Sequence, residues 1–223
     1  LLSASTHESS FRAVADLARH DSGPGTASLI DMDDSAEDEV FTAVSIVGSS
    51  AAMAEVLPRG DELERAIDTI LDISPRLDGM LSLNSGAENI LLTLHGSSRT
   101  GLPVVDGDAC GRVFPRFEQS LLALHGIAPT PLAAATPLGD VFRLDTGPFD
   151  VERYLRPIVS QAGGWAVCAG LLHTGSQLRQ AAVAGTVSRL LSDHPVDTPW
   201  ARQSIGARTL VTGKIISVTR SAH

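Results

Sequence analysis

Gly101-Leu-Pro-Val-Val-Asp106-Gly-Asp108-Ala-Cys-Gly111-Arg112-Val-Phe-Pro115 decides how the rest of the chain is read. Leu102 to Val105 make a short apolar run of the kind that forms a buried strand, and the run breaks into a polar loop. The loop, residues 106–112, gathers two carboxylates, two glycines, a thiol and a guanidinium. Val113, Phe117, Leu121 and Leu124 then recur about one turn apart, which predicts a helix. A strand, a glycine-bearing loop and a helix in that order place polar groups beyond the carboxyl end of a strand. An open α/β sheet puts its ligand there. Asp106 and Asp108 can accept hydrogen bonds or face a cation, and the glycines allow positive φ or close backbone approach. The same residues also suit an ordinary turn whose aspartates cap a helix and whose arginine neutralises them.

Working outward, the pattern repeats. Val40 to Val47 is β-branched and apolar, a central strand, and it empties into Gly48-Ser49-Ser50. Met80 to Leu83 is a compact strand leading into Asn84-Ser85-Gly86-Ala87-Glu88-Asn89. Ala87, Ile90, Leu91 and Leu94 share a helical face, so Glu88 and Asn89 sit near a helix start, where the dipole favours a carboxylate. Trp165 to Leu172 is a further apolar strand, ending at His173-Thr174-Gly175-Ser176. In a parallel sheet the loops 48–50, 84–89, 106–112 and 173–176 converge on one edge as a binding site. Helices are predicted over 11–19, 61–73 (capped by Asp61, with Glu64 three residues on) and 151–159, the last kinked by Pro157. Strands are predicted over 27–31, 140–144 and 209–219, with 128–131 an extended connector. The acidic run Asp31 to Glu39 reads as a solvated loop. The fold class is therefore α/β: a largely parallel or mixed sheet with helices on both faces, in a single domain.

The 223 residues suffice for a sizeable core. A net charge of −9 and the lack of a basic stripe argue against nucleic acid as a partner. No apolar run reaches the ~18 residues of a membrane span, and no leader pattern opens the chain. The expectation is a cytoplasmic protein whose extreme N-terminus is missing. Cys110 and Cys168 are the only cysteines. They are expected as free thiols rather than a disulfide framework. No Walker, Gly-x-Gly-x-x-Gly or His-Glu-x-x-His spacing is present, so the reading calls for no cofactor and no metal. A mixed set from Glu88, Asp106, Asp108 and His173 is the weaker, metal-dependent alternative.

The run from Pro103 to Pro115, followed by Gly126-Ile-Ala-Pro-Thr-Pro131, Gly163-Gly164 and Gln177-x5-Val-Ala-Gly185-Thr186, resembles the S-methyl-thiohydantoin desulfurase-like family, associated with hydantoinase/oxoprolinase proteins. The resemblance covers about residues 40–220 and corresponds to the family's N-terminal domain, with its second, β-rich domain absent. The family's N-terminal glycine loop reads here as Leu1 to Ser9 without glycine, and its tyrosine-proline-methionine segment as Leu171-Leu172-His173. The resemblance implies a small-molecule enzyme on a cyclic amide, hydantoin or thiohydantoin-like substrate, with hydrolytic or desulfurase-type chemistry. Asp106 and Asp108 are then the candidate general bases and Arg112 the group that holds an anion. Glu88, Asn89, Gly111 and Thr174 are the candidate substrate-binding residues. The alternative is a non-catalytic or repurposed homologue, a partner subunit or small-molecule binding protein. Loss of a domain predicts a homo-oligomer or a partner chain covering the face left open.

Overall fold

The computed structural model of the chain describes residues 8–20, 25–114, 116–191 and Ser217. Apart from Ser217 these lie in one compact unit, Leu1–Leu191. The predicted strand over 209–219 falls outside the described residues but for that serine.

Among the described residues, eight strands form one mixed sheet. They are β1 (Leu29–Ile30), β2 (Val40–Gly48), β3 (Gly79–Ser82), β4 (Val104–Asp108), β5 (Leu132–Ala135), β6 (Val141–Leu144), β7 (Trp165–Thr174) and β8 (Val183–Ala184). The order is β1-β4-β3-β2-β7-β5-β6, with β8 on β4. β1, β4, β3 and β2 run parallel, whereas β7 lies antiparallel to both β2 and β5, and β6 antiparallel to β5. The α/β class expected from the sequence is the one observed.

The period of two along the strands divides the core. On one face, Leu132 and Ala134 of β5 and Ala166 and Cys168 of β7 pack with Leu122, Val151, Leu155 and Leu178. The last four belong to α5 (Leu121–Leu124), α6 (Val151–Gln161) and α7 (Gly175–Ala181). On the other face, Ala133 and Ala135 of β5 and Trp165, Val167 and Ala169 of β7 meet Val14, Met53, Leu63, Ile67, Ile70 and Leu92. These come from α1 (Glu8–His20), α2 (Ser50–Glu55), α3 (Glu62–Leu71) and α4 (Ala87–Thr100). Each such aliphatic side chain stabilises the fold by ~1.5–3 kcal/mol on full burial. α3 packs closely on α4 because position 96 is glycine, and a Cβ there would run into the Leu63 side chain. Both cysteines are free and buried, and burial pushes the Cys110 thiol up to about 12 and the Cys168 thiol up as well.

Three local differences from the sequence reading have physical causes. The helix predicted from Val113 does not begin there. A 3₁₀ turn covers Phe117–Gln119, and α5 starts at Leu121, capped by Ser120 Oγ accepting from Ala123 N–H at 3.2 Å. A proline after Phe114 disfavours helical backbone at that residue. Asp61 makes no side-chain cap for α3. Glu62 instead takes the N–H groups of Arg59 and Gly60, at 2.7 and 3.0 Å. Ser49-Ser50 is not a loop but the start of α2, with Ser49 Oγ accepting from Ala52 N–H.

Candidate active site

β2, β3 and β4 run parallel, so their carboxyl ends lie on one edge of the sheet, followed by Ser49, by Asn84–Asn89 and by Ala109–Phe117. β7 runs the other way. Its last residues, His173 and Thr174, pair with Phe41 and Val40 at the start of β2, while its first, Trp165, pairs with Gly48. The expected convergence of four loops is therefore a convergence of three. The fourth, 173–176, sits at the opposite edge.

A cleft of about 190 Å³ opens at the shared edge. One wall is the end of β2, from Ser45 to Ser49. Leu83, Asn84, Glu88 and Asn89, then Val113, Phe114, Arg116 and Phe117, and Glu152 and Arg156 of α6 complete the lining. Gly48 closes its end at φ +124°, where a Cβ would run into the backbone of Gly164 and Trp165.

Glu88 lies in the first turn of α4, whose N-cap is Gly86 with no side-chain cap. Its Oε2 is buried and has no hydrogen-bond partner among the described residues. Asn89 is 5% exposed. Its Oδ1 accepts from Ile46 N–H at 2.7 Å, and its Nδ2 donates to Asn84 Oδ1 at 2.8 Å. Glu152 Oε1 accepts from Phe117 N–H at 3.1 Å and its Oε2 pairs with Arg156 Nε at 2.6 Å. That carboxylate both anchors Phe117 and holds a cation at the rim.

The residues of the 106–112 loop are placed differently. Asp106 Oδ1 accepts from Val187 and Ser188 N–H at 3.0 and 2.9 Å, which caps α8 (Thr186–Leu191). Asp108 is fully buried, and its Oδ1 accepts from the N–H groups of Cys110, at 2.7 Å, and Gly111. Burial pushes the Asp108 carboxyl up, against those two N–H groups, the Thr186 hydroxyl and the Arg189 charge, which pull it down. Gly111 takes φ +69° to turn the chain at this clamp. Arg112 is exposed, its guanidinium 4.5 Å over the Phe114 ring and not paired with Asp106. Thr174 caps α7 in a reciprocal box with Gln177, at 3.3 and 2.9 Å. Of the seven candidates, Glu88 and Asn89 line the cleft; Asp106, Asp108, Gly111, Arg112 and Thr174 do not.

Asn84 entered the sequence reading only as part of the 84–89 loop, and Ser45, Glu152 and Arg156 escaped it. The signal for the last two was present, since a Glu and an Arg four apart on a predicted helix form an ion pair. Nothing in sequence marks Ser45, a hydroxyl within an apolar strand. His173 packs on Phe41 with its Nδ1–H donating to Leu171 O at 2.6 Å, and burial lowers it to about 4, a neutral imidazole. It lies on the edge opposite Glu88, and among the described residues no group of three or more His, Cys, Asp or Glu is placed to hold a metal ion. No helix among the described residues is long and apolar enough to cross a membrane.

Comparison with known proteins agrees with this architecture. Residues 5–146 match the family described as S-Me-THD-like, N-terminal domain, and residues 146–223 the S-Me-THD-like, C-terminal domain. Part of the chain that the sequence assigns to the first domain thus matches the second. An X-ray structure of a protein from Chromobacterium violaceum superposes with a TM-score of 0.73 at 28% identity, over 89% of this chain. The chain spans 60% of that protein's length. No curated protein matches.

Proposed function

Because the chain belongs to the S-Me-THD-like family, we propose that it is an enzyme acting on a small cyclic amide of the hydantoin or thiohydantoin type, and that the cleft at the start of α4 is where it does so. The observation that carries this reading is the buried, unpartnered Glu88 Oε2 in that cleft. A carboxylate oxygen with no protein donor is available to take a proton from water, and a positioned base of this kind contributes ~10²–10⁴ in rate. Water's oxygen bonds to the ring carbon that carries a methylthio group, and the carbon–sulfur bond breaks. One water proton reaches the departing methanethiol through Glu88 and the other ends on the ring nitrogen, leaving a ring carbonyl. Val113, Phe114, Phe117 and Met53 supply an apolar wall for the ring and its methyl group. This reading gives proton transfer to Glu88 in place of Asp106, whose Oδ1 is engaged by backbone amides, and of Asp108, whose Oδ2 is also buried without a hydrogen-bond partner among the described residues but which does not line the cleft. We place the reaction in the cytoplasm, with a second copy or a partner subunit covering the exposed Leu124 and Phe149.

The second reading, a non-catalytic binding protein, is favoured by one observation: Asp106, Asp108 and Thr174 all serve the backbone. One assay separates the two. The full chain is incubated with 2-methylthio-imidazol-4-one and with hydantoin, following thiol release and ring opening while binding is measured by calorimetry. Turnover supports the enzyme, binding without turnover supports the binding protein, and neither removes both.

A further inference from the structure

We propose that Asn84 determines which rings the cleft accepts, by presenting a hydrogen-bond donor that selects a ring carbonyl; this rests on the reading of the cleft as a ring site. The polarity is decided at the backbone of β2. Ile46 N–H donates to Asn89 Oδ1 at 2.7 Å, so the Asn89 amide must turn its oxygen toward the strand and its nitrogen away. That nitrogen donates to Asn84 Oδ1 at 2.8 Å, and the same Oδ1 accepts from Gly86 N–H at 2.9 Å. Two donors on one atom fix the Asn84 amide, because a flip would set its NH₂ against both. Ser82 Oγ, donating to the Asn84 carbonyl at 2.8 Å, pins its backbone.

The consequence is at the other end of the amide. Asn84 is 4% exposed and lines the cleft, and its Nδ2 takes no hydrogen-bond partner among the described residues. That N–H is open to the cleft, so a ligand that displaces the solvent there loses affinity unless it brings an acceptor of its own. The Asn84 N–H complements a ring that carries C=O, while Glu88 Oε2, which lines the same cleft, is left for the attacking water. A site built this way rejects the analogue that lacks the matching group more strongly than an apolar pocket rejects a missing methylene. Asn84 is therefore the specificity-determining residue, and Asn89 the positioning residue that sets its polarity.

The test uses the full chain at mildly alkaline pH and two rings that are uncharged there, 2-methylthio-imidazol-4-one and the carbonyl-free 2-methylthio-imidazole. Affinities are measured by calorimetry for wild type, Asn84→Ala and Asn84→Asp. Asn84→Asp keeps an oxygen for Gly86 N–H and Asn89 Nδ2, so those contacts stay built, but it replaces the donor by an acceptor. The quantity read is the affinity ratio of the two rings, compared between proteins so that the intrinsic difference between the rings cancels. The ratio should fall about tenfold or more in Asn84→Ala, and further in Asn84→Asp. A purely structural role would weaken both rings alike. A ratio unchanged in both variants overturns the proposal. Asn84-dependent binding of the carbonyl ring without turnover upholds it while removing the reaction. Turnover with an unchanged ratio removes this inference alone, and binding of neither ring removes both.

Discussion

Asp106 and Val187 stand 81 positions apart and are joined by a 3.0 Å hydrogen bond from the Val187 N–H to the Asp106 Oδ1. The bond sets the role of the most conspicuous carboxylate in the sequence. Its Oδ1 also takes Ser188 N–H, and its own carbonyl takes Gly185 N–H at 2.8 Å, so the residue ties the 185–188 turn to β4. Asp106→Ala should lower stability by about 1 kcal/mol, the usual cost of losing an N-cap. Asp106→Asn, which keeps an acceptor, should cost less. Thermal unfolding of the two variants checks the order, and ring turnover should persist in both.

Asp108 should show itself through pH. Burial raises its carboxyl in the folded state, so its favourable contribution is full below the unfolded value near 3.8 and is lost as pH rises through the folded value. Asp108→Asn removes that loss while retaining an oxygen for Cys110 and Gly111 N–H. The variant should gain in melting temperature relative to wild type between pH 4 and pH 8, with turnover within about twofold. A rate loss of ~10² would return Asp108 to the catalytic role.

His173 gives the opposite slope. Its folded value of about 4 lies below the 6.5 of the unfolded chain. The stability it contributes is complete above 6.5 and falls as pH drops from there toward 4, because the unfolded imidazole protonates first. His173→Gln should flatten this part of the stability profile, and the wild-type imidazole should titrate near 4 by NMR. A midpoint near 6.5 would contradict its burial.

Arg112 is exposed over Phe114, and an exposed cation–π contact contributes ~0.5–1 kcal/mol. Arg112→Ala should therefore change the melting temperature little. Were Arg112 the anchor for a ligand anion, the same variant would lose binding with its stability intact.

The sheet was largely legible because its strands are short apolar runs bounded by glycine and polar residues, as at Val40 to Gly48 and Trp165 to Thr174. What sequence could not show was strand direction. The run Trp165 to Leu172 has the same composition whether it lies parallel or antiparallel to β2, yet its direction decides whether Thr174 reaches the cleft. Strand β5 was hidden for a different reason: Leu132 to Ala135 holds three alanines, which carry little β-propensity, and tertiary burial alone makes them a strand. The candidate cleft was legible where a polar residue follows a strand and starts a helix, as Glu88 and Asn89 do. Asp106 was ambiguous, since a carboxylate that faces a cleft and one that caps a distant helix look alike in sequence.

The most direct test of the account is the rate of methanethiol release from 2-methylthio-imidazol-4-one by wild type and Glu88→Gln, with the melting temperature measured alongside. Glu88 Oε2 makes no hydrogen bond among the described residues, so the amide should leave the fold intact. Glu88→Gln should lower kcat by ~10² or more with the melting temperature nearly unchanged. A Glu88→Gln protein that releases thiol at the wild-type rate would contradict it.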